Sequence, residues 1–81
     1  MFILTRDNDN FINYDKIINL KIVKEYRPDI HWEIIAVYSG GHIIIDIYHT
    51  ERECKNDFNK LCNKIAGQEY EIIDMNDLYD E

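Results

Sequence analysis

The sharpest periodicity in the chain runs from Thr50 to Gly67. Apolar side chains fall at Cys54, Phe58, Leu61, Cys62 and Ile65, the spacing of one helical stripe. Thr50 with Glu53 three residues on forms a capping-box pattern. Glu51 and Glu53 near the start, and Lys60 and Lys64 near the end, suit the helix dipole. Gly67 supplies the stop. The pattern predicts an amphipathic helix over 50–67.

Upstream the period changes. Residues 32–38 and 42–49 are rich in Ile, Val and aromatics, with Ser39-Gly40-Gly41 between them. Gly40-Gly41 predicts a tight hairpin turn with positive φ at both positions. In that register Tyr38 faces Ile43, Ala36 faces Ile45, Ile34 faces Ile47 and Trp32 faces His49, all on one apolar sheet face. The opposite face then carries Ile35, Val37, Ile44 and Tyr48 as an apolar strip between charges.

Earlier in the chain, residues 2–6 and 11–14 flank the turn cluster Asp7-Asn8-Asp9-Asn10. Ile18, Leu20 and Ile22 then alternate with Asn19 and Lys21, and Arg27-Pro28-Asp29 ends that strand. The expected fold is α+β: a four-stranded antiparallel meander packed on one C-terminal amphipathic helix. Residues 70–75 are the candidate for a fifth, edge strand. Domain organisation follows as a single ββββα unit over 1–68 and an acidic segment over 69–81.

Charge sharpens that division. The 81 residues carry a net charge of −7. Residues 1–68 are nearly neutral, whereas Glu69, Glu71, Asp74, Asp77, Asp80 and Glu81 have no Lys or Arg among them. Tyr70 and Tyr79 are interleaved with these carboxylates. Two readings stand side by side: a solubilising, frayed end, and an acidic, aromatic docking tail for a basic partner. The acidic balance argues against direct nucleic-acid binding. No apolar run of ~20 residues predicts a membrane span. Phe2-Ile3-Leu4 is cut short by Arg6 and Asp7, unlike a signal peptide.

Catalytic groups are sparse. Cys54 and Cys62 lie about 12 Å apart along one helix, too far for a disulfide, and read as small core hydrophobes. Two free thiols fit a reducing cytoplasm. His31, His42 and His49 lack metal-ligand spacing, so no metal or other cofactor is expected. A Ser39–His42–Asp46 line is conceivable along one sheet face, but no residue is placed by sequence to orient the imidazole. Arg6, Lys21 and tyrosines are the residues from which a small-nucleotide pocket could be built, most readily across a dimer. Six tyrosines also suit an interface, since Tyr offers rigid contact area with a polar tip.

Three features carry a resemblance over residues 2–66. They are a short N-terminal hairpin leading into Asn13-Tyr14-Asp15-Lys16-Ile17, the Gly-turn hairpin, and Tyr48-His49-Thr50-Glu51-Arg52-Glu53 opening the helix. In these the chain resembles a loose class of small, mostly uncharacterised proteins of Gram-positive bacteria, their phages and mobile elements. Members often carry Ala where this chain has Cys54, and the acidic extension is atypical. Fifteen Ile and eight Asn fit such AT-rich genomes. The resemblance implies a four-strand, one-helix module and no activity, although small acidic proteins of such genomes include inhibitors of host defence. The expectation is a non-enzymatic binding protein that blocks a protein partner. Ile35, Val37, Ile44 and Tyr48 are the candidate contact residues, and a homodimer is the favoured self-contact. A nucleotide-sequestering protein is the alternative, with a low-turnover enzyme a distant third.

Overall fold

The computed structural model describes residues 1–67 and 71–80, with side chains as far as Leu78. Strand β1 (Phe2–Leu4) runs antiparallel to β2 (Phe11–Asn13), joined by the predicted Asp/Asn turn. Asn8 takes the turn's positive φ of 62°, a conformation that Asn tolerates better than most residues. A 3-10 turn over Tyr14–Lys16, capped by the Asn13 side chain, leads into β3 (Asn19–Glu25). Strands β4 (His31–Tyr38) and β5 (Gly41–Tyr48) follow, then α1 (Glu51–Gly67). The Thr50 hydroxyl accepts from the Glu53 amide at 3.2 Å, which realises half of the expected capping box.

The α+β class and the single long helix are as expected. The strands, however, divide into two three-stranded sheets. One is the antiparallel meander β3-β4-β5. The other has the order β2-β1-β6, where β6 (Ile72–Asp74) runs parallel to β1. The segment expected at 70–75 as an edge strand therefore forms, but at the edge of the smaller sheet. It is followed by a 3-10 helix over Met75–Asp80.

One core unites all of this. Ile3, Ile12 and Ile73 of the small sheet meet Ile34, Ala36, Ile45 and Tyr48 of the meander. Cys54 and Leu61 of α1 join them, with Phe58 and Ile65 packed against the same cluster. Met75 and Leu78 are completely buried. The reading of 69–81 as a frayed end is thus corrected: its apolar residues Ile73, Met75 and Leu78 complete the core. A domain this small leaves a large fraction of its surface exposed, so it gains from recruiting every apolar side chain available. Glu69, Tyr70 and Glu81 lie outside the described residues, as do the side chains of Tyr79 and Asp80.

The hairpin register also differs from the expected one. Tyr38 pairs with Gly41, Val37 with His42, Ala36 with Ile43 and Ile35 with Ile44. The loop is Ser39-Gly40, and the positive φ falls on Gly41 alone, at 149°. Below Ile35 the register shifts, so that Ile34 pairs with Asp46 and Trp32 with Tyr48. Ile45 is the extra residue of this β-bulge, and a bulge reverses which side chains reach each face. Its carbonyl accepts from the Arg6 amide at 3.3 Å, so the bulge is also where the small sheet touches the meander.

Candidate functional site

The helix covers one face of the meander. The other face is built by alternate residues of each strand. Ile35 stands opposite Lys21 on one side and Ile44 on the other. Val37 stands between Asn19 and His42, and Glu33 between Val23 and Ile47. An apolar strip of Ile35, Val37, Ile44, Ile47 and Val23 results, rimmed by polar and charged groups. Ile44 is 39% and Ile47 53% exposed, so the strip reaches solvent. Ile35 lies outside the main core cluster yet is only 5% exposed. Three of the four predicted contact residues, Ile35, Val37 and Ile44, therefore do share this face.

Tyr48 does not. The bulge at Ile45 turns it inward, where it is buried and its hydroxyl donates to Asp57 Oδ2 at 2.8 Å. Burial, followed by the neighbouring Asp46 and Asp57, pushes its phenol far above the ordinary value. Ile47 takes the place that Tyr48 was expected to fill. The sequence signal was ambiguous: in the run Ile43-Ile44-Ile45 no polar residue marks the alternation.

Tyr48 belongs instead to an ionic cluster that no local pattern foretold. Arg6 Nε lies 2.7 Å from Asp46 Oδ2, and Arg6 Nη2 lies 3.0 Å from Asp57 Oδ2. The cluster pins β1's end to β5 and α1, with Asp57 facing inward from the helix stripe. It is a clamp between elements: each carboxylate is already engaged. Burial, and after it Asp46 and Asp57 of the same cluster, push the Cys54 thiol up to about 11. Burial also raises Cys62. Neither thiol has the depressed pKa of a reactive cysteine.

At the N-terminal end of the sheet's outer face, His31 is held by two acceptors. Nδ1 donates to the Asp29 carbonyl and Nε2 to Glu33 Oε2, both at 2.8 Å. The Asp29 carbonyl and then Glu33 raise its pKa above the ordinary histidine value. His42, paired with Val37, is exposed on that same face. The Asp46 carboxylate is held instead by Arg6 and the Ile47 amide, so the structure does not assemble the Ser39–His42–Asp46 line. Arg6 is likewise held in its ion pairs with Asp46 and Asp57. Among the described residues no group of His, Cys, Asp and Glu has the geometry to hold a metal ion.

Two other features border on solvent. A groove of about 860 Å³ opens between the 3-10 turn and α1, lined by Tyr14, Ile17, Leu20, Phe58 and Cys62. Among the described residues its lining includes the Asp15 carboxylate. The second is the small sheet's outer face. Asn13, Phe2 and Ile72 form one row, and Phe11, Leu4 and Asp74 the next. The Phe2 and Phe11 rings meet edge-to-face with centroids 5.8 Å apart. Of the expected docking tail, Glu71 and Asp77 are exposed, while Asp74 accepts from the Asn76 amide at 2.9 Å.

Comparison with protein families, with characterised proteins and with solved structures found no match to this chain. Among the described residues no helix is long and apolar enough to cross a membrane.

Proposed function

We propose that this chain is a small non-enzymatic binding protein that acts by blocking a protein partner through the outer face of the meander. The observation that carries the reading is exposed Ile44 and Ile47, with half-buried Val37 beside them, on a face the helix leaves uncovered. An antiparallel sheet with one solvated face normally alternates to polar side chains. Contiguous apolar surface of this kind tends to mark contact sites. A second copy of the chain is one candidate occupant, because two-fold pairs are the commonest closed assembly. The resemblance to proteins of phages and mobile elements makes a host-defence factor the other.

The nucleotide-sequestering alternative has less support. Among the described residues the groove beside α1 has no Lys or Arg in its lining and presents Asp15 instead. That lining disfavours a phosphate group.

Co-expression with candidate host factors, using wild type and Val37→Glu as paired baits, tests the reading. Retention of one protein by the wild type and its loss with folded Val37→Glu supports it. Sedimentation of the wild type at micromolar concentration decides whether the partner is a second copy. An identical retained set for both baits, with no self-association, overturns the reading.

A further inference from the structure

The small sheet turns a second apolar surface to solvent, in a different electrostatic setting from the first. Ile3, Ile12 and Ile73 point into the core, so Phe2, Phe11 and Ile72 point out. They are 41%, 57% and 51% exposed, on a patch only three strands wide. Single exposed apolar residues are ordinary. Here two aromatic rings in contact adjoin an aliphatic side chain, with half-buried Leu4 between Phe11 and Asp74.

The surroundings are acidic. Asp74 is part of the sheet, at the corner of the patch. Asp7 and Asp9 occupy the turn joining β1 to β2, and exposed Glu71 immediately precedes Ile72. Thr5 and the Asp9 amide hydrogen-bond to Asp7 and hold its carboxyl below the usual range. Exposed Asp77 follows in the 3-10 helix. The basic side chains within residues 1–16 and 71–78 are Arg6 and Lys16. Arg6 is committed to Asp46 and Asp57. The meander's outer strip, by contrast, is rimmed by both signs, Lys21 with Glu33 and His31.

We infer that the Phe2–Phe11–Ile72 face is a separate docking surface for a basic amphipathic segment of a partner protein. Aliphatic side chains of that segment cover the two rings and Ile72, and its Lys or Arg residues reach Asp74, Glu71 and the Asp7–Asp9 turn. Charge complementarity selects this occupant: a second copy of the chain would bring carboxylates against carboxylates. The inference stands apart from the meander face and survives if that reading fails.

The probe is a synthetic Leu/Lys peptide of about 18 residues, patterned as an amphipathic helix. A Leu/Glu peptide of the same pattern is the control. Amide chemical shifts of the full chain, followed during titration, locate the contact. The expected changes cluster at Phe2, Leu4, Phe11, Ile72 and Asp74. Paired Phe2→Ser and Phe11→Ser substitutions should weaken binding about tenfold or more, as for loss of central apolar anchors. Raising salt should weaken it further, since the flanking carboxylates are screened. Val37→Ser, on the meander's outer face, should leave it unchanged. Binding that is indifferent to the two Ser substitutions in a folded variant overturns the inference, because it would be charge attraction alone. Shifts centred on Ile35, Ile44 and Ile47 overturn it as well, as does equal affinity for the Leu/Glu peptide.

Discussion

The two faces of the meander are made from the same three strands and nearly the same residue types, yet they end in opposite environments. The inner face sets Ile34, Ala36, Ile45 and Tyr48 against α1 and the small sheet, and all are buried. The outer face sets Ile35, Val37, Ile44 and Ile47 beside Lys21, Glu33 and His42, with two of its isoleucines open to solvent. Hydrophobicity alone therefore does not say which face is core. The helix stripe and the bulge at Ile45 decide it. Ile44 and Ile47 are then apolar surface that folding leaves open, whereas Ile35 of the same strip is buried.

The comparison breaks first at the core. Leu61→Ala and Leu78→Ala, both at fully buried positions, should each cost about 2–5 kcal/mol in a denaturant melt. Ile47→Ala, on the outer face, should cost under about 1 kcal/mol. Removing residues 69–81 takes away Ile73, Met75 and Leu78 together and should abolish folding. A truncated chain that melts like the full one would return the C-terminal segment to the status of a tail.

Next in size is the clamp that closes the inner face. Asp57→Ala leaves Arg6 and the Tyr48 hydroxyl without their shared acceptor. With Asp57 buried and Arg6 partly exposed, the expected loss is about 2–3 kcal/mol, below that of a fully buried pair. A loss under about 0.5 kcal/mol would show the cluster to be incidental.

The hairpin shared by both faces comes third. Gly41 holds a φ of 149°, which a β-branched residue adopts only with strain. Gly41→Val should destabilise by about 1 kcal/mol or more, whereas Gly40→Ala should be nearly neutral. Equal effects at the two glycines would contradict the observed Ser39-Gly40 loop.

The smallest expected effect lies at the end of the outer face. The Asp29 carbonyl and Glu33 raise the folded-state pKa of His31. Its contribution to stability is therefore fully present below the unfolded histidine pKa and is lost as pH rises through the higher folded value. An NMR titration should place His31 above an ordinary histidine, and Glu33→Gln should lower it. A His31 midpoint unaffected by Glu33→Gln would remove the side-chain contact from the account.

What the sequence made legible follows from the range of each interaction. Helix α1 is written locally, in its stripe, its Thr50 cap and Gly67, and it appears where those signals put it. The hairpin's position was legible from Ser39-Gly40-Gly41. Its register was not, because Ile43-Ile44-Ile45 satisfies either phase and a one-residue bulge leaves no side-chain signature. With that bulge Tyr48 lies on the inner face and Ile47 on the outer one, the reverse of the expected phase. The Arg6–Asp46–Asp57 clamp joins residues 40 and 51 positions apart, beyond any local pattern. The parallel pairing of β6 with β1 is equally long in range. Its apolar residues Ile72, Ile73, Met75 and Leu78 are interrupted by carboxylates, a pattern that a solvated acidic end shares. Phe2 and Phe11 were readable as the outward partners of Ile3 and Ile12 once the N-terminal hairpin was drawn.

We propose that the outer strip, with Ile44 and Ile47 exposed, is a surface for another protein. Its most direct test is a capture experiment with wild type and Ile44→Lys as parallel baits, each first checked for folding by circular dichroism. Ile44 is exposed, so the variant should melt within about 1 kcal/mol of the wild type. A defined partner, a second copy included, should be retained by the wild type and lost by folded Ile44→Lys. A folded Ile44→Lys that retains the same partner with undiminished affinity would contradict it.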